Sequence, residues 1–378
     1  MNYNETVKYL CSLQRFGSRP GLTRIKDVLQ KLECKKLDSK VIHVAGTNGK
    51  GSTVAMIAQI LKEAGYSVGV FISPYIVDFR ERVQINGEYI PENEIVKITE
   101  KVVSKKVFLT FFEIMTAIAI KYFNEQKVDY IVLETGLGGR LDATNAIHSD
   151  IQAITSIELD HMEVLGDSIE SIAREKAAII EEESSVFIPN GCNAREIIEN
   201  QCKKCNAELM IAKEVESEIK LKGKHQKRNA GIAVAISRHL GIREDIIQKG
   251  LNETVWPGRL EVFGNVMLDC AHNCAAIKEL RDYIDSLNHK NITIVFGVLK
   301  DKDYKSMIDL FPKYNKFIFT RPPNDRALKP FMLNDRCVII ENPKEALEYA
   351  IKNTKKDELV LVTGSCYLVS VVRPLLLL

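Results

Sequence analysis

No uninterrupted apolar run in this 378-residue sequence approaches the roughly 20 residues that a membrane-spanning helix needs. The first twenty residues, MNYNETVKYLCSLQRFGSRP, lack the continuous apolar segment of a secretory leader, so none is expected. A charge excess is missing as well. Lys plus Arg number 52 against 50 for Asp plus Glu, a formal net charge of +2, and such a balance offers no field for nucleic acid. Internal repeats and low-complexity stretches are absent. The nine cysteines are odd in number and scattered, which argues against a disulfide framework and for a reducing compartment, so a cytoplasmic location is expected. Cys202 and Cys205 form a CxxC with no second pair and no histidine at finger spacing, a poor basis for a zinc site. The tail VVRPLLLL is apolar but far too short to cross a membrane, and it is expected to pack at a domain edge.

The length exceeds what one hydrophobic core usually organises, so two domains are expected. Apolar runs of strand length alternate with segments of helical periodicity: Val41–Ala45, then TVAMIAQILKEAG, then YSVGVFI, FFEIMTAIAIKYFNEQ, VDYIVLETG, IQAITSI and SIESIAREKAAII. That alternation predicts an α/β fold with a mostly parallel sheet covered on both faces. A second series follows the break at Pro257–Gly258: NVMLDCAHN, AAIKELRDYIDSL, NITIVFGVL, KFIFTRP, PKEALEYAIKN and ELVLVTGS. Domains of residues 1–257 and 258–378 are therefore expected.

The stretch VIHVAGTNGKGSTV (41–54) has the composition of a phosphate-binding loop. Gly46 and Gly49 let backbone N–H groups turn toward an anion, Lys50 adds a point charge, and a helix expected from near Ser52 adds its positive end. The spacing departs from GxxxxGK[ST]: Val44 fills the first glycine slot, and Gly51 separates the lysine from Ser52. ATP chemistry requires Mg²⁺, a hard ion that prefers oxygen ligands near the carboxyl ends of neighbouring strands. Ser73 and Glu134 each follow a strand segment and meet that requirement; a solvated strand-end acid is the alternative for Glu134. His161, taken by itself, reads as a surface histidine.

Ten segments, in order, carry a stronger signal: HVAGTNGKGS (43–52), SPYIVDFRERVQING (73–87), TFFEIMTA (110–117), LETGLGGRLDATN (133–145), LDHMEVLGDSIESIAREKAAII (159–180), HQKRNA (225–230), WPGRLE (256–261), LDCAHN (268–273), FGVLKDKDY (296–304) and VTGSCYLV (362–369). With these the sequence resembles the folylpolyglutamate synthase and dihydrofolate synthase family of the Mur ligases. The resemblance implies a Mur-ligase-like P-loop ATPase domain with a mostly parallel sheet, plus a smaller Rossmann-like α/β C-terminal domain that binds glutamate. It implies an ATP-dependent ligase that adds L-glutamate to a reduced folate, and to dihydropteroate in some members. The implied partners are small molecules only, with no nucleic acid and no membrane, and the implied state is a monomer. An amide ligase of the same chemistry acting on another carboxylate acceptor is the alternative.

Site residues follow from the same resemblance. Gly46, Thr47, Asn48, Gly49, Lys50, Gly51, Ser52 and Thr53 would hold the nucleotide phosphates, with Gln226, Asn229, Asp269 and His272 as further nucleotide contacts. Ser73 and Glu134 would ligate one Mg²⁺, and Glu134 and His161 a second, completed by a carbamate on Lys176. Arg259 would bring a positive charge to the phosphates. Glutamate recognition would draw on His272, Arg321, Arg326 and Ser365. FGSRPGLTRI (16–25) resembles the folate-side segment. The chain departs from the family pattern at Cys270 (usually Gly), Cys274 (usually Pro) and Ala178 (usually Gly), and it is shortened between Ser185 and Gly223 and before Thr110.

Overall fold

The computed structural model describes residues 1–13, 21–287, 289, 291–312, 315–330 and 337–377. Half of the folate-side segment, residues 16–20, lies outside them. Two compact units result. One comprises Met1–Tyr75, Phe79–Lys220 and Gln226–Thr254; the other comprises Ile76–Asp78, Leu221–His225 and Val255–Leu378.

The first unit is built on an eight-stranded sheet: β1 (Lys40–Ala45), β2 (Val68–Phe71), β3 (Val83–Ile85), β4 (Glu88–Tyr89), β5 (Tyr130–Glu134), β6 (Ile151–Ile154), β7 (Ser185–Pro189) and β8 (Glu208–Ala212). The strand order is β4-β3-β2-β5-β1-β6-β7-β8. From β2 to β8 all neighbours pair in parallel, as the alternating pattern predicts. At one edge β3 and β4 pair antiparallel around Asn86–Gly87, both with positive φ. An Asn-Gly turn is what a two-residue hairpin demands, and its backbone twist matches that of the flanking strands.

β1 lies near the centre, and its residues from Val41 to Ala45 are buried. A strand covered on both faces must be apolar throughout, which is why VIHVA does not alternate. The helix Lys50–Glu63 leaves β1 through Gly49, whose φ of 84° forms its N-cap. The helix therefore starts two residues before the expected Ser52. The helix Phe111–Gln126 is opened by a capping box: the Glu113 carboxylate accepts from the Thr110 N–H at 2.8 Å, and Thr110 Oγ1 accepts from the Glu113 N–H.

The second unit carries a six-stranded sheet of β9 (Glu261–Phe263), β10 (Val266–Leu268), β11 (Ile292–Phe296), β12 (Lys316–Phe319), β13 (Cys337–Ile339) and β14 (Leu359–Thr363). Its order is β13-β12-β11-β14-β10-β9, parallel except for β9. The apolar tail belongs to the helix Cys366–Leu376, whose Val372 is buried. Among the described residues no helix is long and apolar enough to cross a membrane. The thiols of the lone CxxC are free, with Cys202 buried.

The loop-bearing helix is seated by a glycine. A Cβ on Gly250, in the helix Glu244–Glu253, would stand 2.7 Å from Ile60 Cα, and backbone cannot step aside. Gly250→Val is therefore expected to destabilise the first unit by about 1–3 kcal/mol, read as a lower urea midpoint at unchanged m-value.

Candidate active site

Three strands end in one row. Parallel register sets Glu134 of β5 beside Val44, and Ile154 of β6 beside Ala45, so the loop after β1 emerges between two chain ends. The segment following β6 pins that loop. Thr47 N–H donates to the Ser156 carbonyl at 2.8 Å, Asn48 N–H to Ser156 Oγ at 2.9 Å, and Thr155 Oγ1 donates to the Asn48 carbonyl at 2.6 Å. Two glycines make this closeness possible. A Cβ on Gly46 would fall 1.9 Å from Thr155 Oγ1, and one on Gly49 would fall 2.4 Å from Asn229 Oδ1. Thr155 and Ser156 escaped sequence reasoning; their only signal is two hydroxyl residues directly after a buried strand.

Two amines meet at the mouth of the loop. Lys50 Nζ donates to the Gly46 carbonyl at 3.0 Å and to that of Thr47 at 3.2 Å. Lys176, reached from the helix Ile169–Ala177, donates to the same Gly46 oxygen at 2.9 Å. Lys176 is 3% exposed. Burial first, and the charge of Lys50 second, lower its pKa to about 7. A lysine in this state presents a substantial fraction of neutral, nucleophilic amine at ordinary pH.

Behind the loop, Gln226 Nε2 donates to Ser52 Oγ at 3.2 Å, and Asn229 Nδ2 donates to Gln226 Oε1 at 3.1 Å. Both come from the helix Lys224–His239 and both are buried. Thr53 Oγ1 is buried without a hydrogen-bond partner. A distant sequence segment thus supplies the polar wall that the phosphate loop lacks locally.

Glu134 is buried, and its Oε2 accepts from the Ser73 N–H at 2.9 Å, so these two predicted metal ligands are brought together. The turn after Glu134 is held by Asp142, missed at the sequence level although it stands in GLGGRLDATN. Its Oδ2 accepts from the N–H groups of Gly136 and Leu137, each at 2.9 Å. Its Oδ1 accepts from Thr144 Oγ1 at 2.5 Å, and His43 Nε2 lies 2.7 Å from that same hydroxyl. Because the threonine proton goes to Asp142, His43 donates through Nε2. Burial lowers the His43 pKa to about 3, so the ring is neutral.

His161 is exposed and precedes the short helix Met162–Leu165, with its backbone N–H donating to Asp160 Oδ1 at 2.9 Å. Unlike Lys176, it is not buried. Among the described residues no group of three or more His, Cys, Asp or Glu side chains is placed to hold a metal. The donor chemistry here is different: one buried carboxylate and one serine, oxygen donors of the kind that fit Mg²⁺.

In the second unit, Asp269 accepts from Leu260 N–H at 3.0 Å and from Ala271 N–H at 2.8 Å. It therefore ties the Arg259–Leu260 segment to the DCAHN loop. His272 Nδ1 donates to the Cys270 carbonyl at 2.9 Å. Ser365 is buried and caps the helix Cys366–Leu376 by accepting from Tyr367 N–H at 3.0 Å. Arg321 and Arg326 are exposed, Arg326 with Asp301 3.8 Å away.

The Mur ligase middle domain model matches residues 44–211, and the Mur ligase, glutamate ligase domain model matches residues 258–366. The chain is 34% identical to the dihydrofolate synthase/folylpolyglutamate synthase of Bacillus subtilis (strain 168), over 98% of each sequence. It is 32% identical to a probable bifunctional folylpolyglutamate synthase/dihydropteroate synthase of Haloferax volcanii, where 99% of this chain spans 50% of that relative's length. The structure of E. coli FolC in complex with DHPP and ADP superposes with a TM-score of 0.90 at 29% identity, covering 98% of this chain and 97% of that one. The fold is the Mur-ligase-like α/β arrangement of a P-loop ATPase domain and a smaller C-terminal α/β domain, and use of ATP and Mg²⁺ is typical of that superfamily. By descent and architecture, the chain belongs to the folylpolyglutamate synthase and dihydrofolate synthase family of the Mur ligases.

Proposed function

We propose that the chain is an ATP-dependent ligase joining the amino group of L-glutamate to a carboxylate of a reduced folate, with dihydropteroate as a second acceptor. The observation that carries this reading is the convergence of Lys50 and Lys176 on the Gly46 carbonyl oxygen of a glycine loop, at the strand row that also bears Glu134. In the proposed reaction the acceptor carboxylate attacks the γ-phosphorus of ATP, giving an acyl phosphate and ADP. The glutamate amine then attacks the acyl carbon, and phosphate leaves. The first step brings two anions together, so catalysis needs fixed positive charge where negative charge gathers.

Lys50 and the N–H groups of the loop, from Gly46 to Thr53, supply that charge to the phosphates, with Gln226 and Asn229 as further nucleotide contacts. Ser73, Glu134, His161 and a carbamate on Lys176 would hold two Mg²⁺ ions, which, when bound, neutralise phosphate charge and polarise the phosphoryl oxygens. Carbamate formation needs a neutral amine, and Lys176 has the burial and the nearby ammonium that produce one. From the second unit we assign Arg259, Asp269 and His272 to the nucleotide side, and His272, Arg321, Arg326 and Ser365 to glutamate. On this reading residues 1–257 bind ATP and folate, and residues 258–378 bind glutamate. The cytoplasm is the proposed location.

A panel of acceptors with labelled glutamate tests the reaction. Phosphate release and a lengthened product are expected with tetrahydrofolate or dihydropteroate; product with a muramyl peptide alone would transfer the chain to the other acceptor class. Lys176→Ala should retain measurable ATP binding but lose ligation, and added CO₂ should not restore it. In ¹³C-bicarbonate, wild-type protein should show a carbamate resonance that grows as pH rises through about 7, rather than through the ordinary lysine value of 10.5, because only the neutral amine reacts. A signal that persists in the alanine variant would refute the assignment. Glu134→Gln is expected to weaken the Mg²⁺ dependence of turnover and stop acyl phosphate formation, and an unchanged metal titration would remove Glu134 from the ligand set.

A further inference from the structure

Two cysteines of the second unit lie together beside the arginine just assigned to the phosphates. Cys270 follows β10 and Cys366 is the first residue of the helix after β14. These parallel strands are neighbours, and their extensions stay paired: Asp269 N–H donates to the Val362 carbonyl and Gly364 N–H to that of Ala271, each at 3.0 Å. The pairing brackets Cys270. The Cys366 thiol donates to the Cys270 carbonyl oxygen at 4.0 Å. Side-chain hydrogen bonding with Cys270 and with Arg259 lowers the Cys366 pKa. Gly258 makes room, since a Cβ there would come within 2.9 Å of Cys270 Sγ.

Both thiols are free; Cys270 is fully buried, and Cys366 is 9% exposed. A disulfide between them requires the sulfurs to approach to about 2.05 Å. The two sulfurs are unequal. Hydrogen bonding with Cys270, the Arg259 charge and the helix N-terminus favour thiolate at Cys366, whereas Cys270 is held well above the usual thiol range. At the CxxC, burial pushes Cys202 up to about 11 and no cation is among its causes.

We propose that Cys270 and Cys366 form a redox-sensitive dithiol that hydrogen peroxide converts to an internal disulfide, removing a sulfur acceptor that helps hold Arg259 and lowering the ligase rate. The Cys366 thiolate attacks one peroxide oxygen; the O–O bond breaks, and water leaves once hydroxide takes a proton. The Cys270 sulfur then displaces hydroxide from the resulting sulfenic acid, its proton departing in a second water. Two thiols and one peroxide give one disulfide and two waters. The effect on rate rests on the assignment of Arg259 to the phosphates; the disulfide does not.

The full-length protein, reduced and then treated with hydrogen peroxide, is blocked with iodoacetamide and mapped without reduction by mass spectrometry. The expected result is one linked pair, Cys270 with Cys366, reversed by dithiothreitol, together with a fall in ligase rate of about tenfold or more, the scale of losing a positioned transition-state donor. Cys366→Ser and Cys270→Ala should each lose the peroxide response. Alkylation of both thiols after peroxide, or linkage of other cysteines instead, overturns the dithiol. A linked protein with an undiminished rate overturns the coupling to Arg259. Absence of ligase activity in the reduced protein would count against the functional reading, while the linkage map would still decide the dithiol.

Discussion

Lys50 and Lys176 donate to one carbonyl oxygen, that of Gly46, and the candidate site is arranged around this crowding. Like charges so close are costly where one of them is buried, and the cost falls on the proton affinity of that amine. Lys176 is almost fully enclosed, and burial together with the charge of Lys50 lowers its pKa to about 7. A phosphate ligand would satisfy Lys50, and a carbamate would change Lys176 from a proton donor into an oxygen donor. Both changes relieve the repulsion that the protein alone sustains.

That arrangement requires a loop with little freedom. Gly46 and Gly49 leave no room for side chains because Thr155 and Asn229 occupy the space. Each contact spends a buried polar group on fixing backbone, an effective use of low dielectric only when the partners are complete. The same economy holds the turn beyond Glu134, where Asp142 accepts from two backbone N–H groups and is joined through Thr144 to His43. Metal ligation at Glu134 would thus be supported from beneath by a neutral histidine on the central strand. In the second unit Asp269 plays the corresponding part, fixing the backbone that carries Arg259.

Much of this was legible beforehand. Parallel strands and several of the covering helices follow from periodicity, because central strands are apolar on both faces and covering helices on one, and the phosphate loop follows from its glycines and lysine. Asn86–Gly87 and the Asn2–Glu5 capping box were equally local signals, present in the sequence and passed over. The Thr155–Ser156 clamp and the Cys270–Cys366 pair had no local signal of comparable strength. They join segments more than ninety residues apart, and a single sequence does not record which hydroxyl or thiol faces which loop.

The amino-acid sequence by itself determined the α/β class, the family and the identity of the charged groups, since those depend on periodicity and on short ordered motifs. Tertiary structure alone decided that Lys176 loses its proton affinity, that Asp142 and Asp269 shape backbone, that His161 stays exposed and that two cysteines share one arginine. The physical reason is that desolvation and proximity set the state of an ionisable group, and both arise only when distant segments pack.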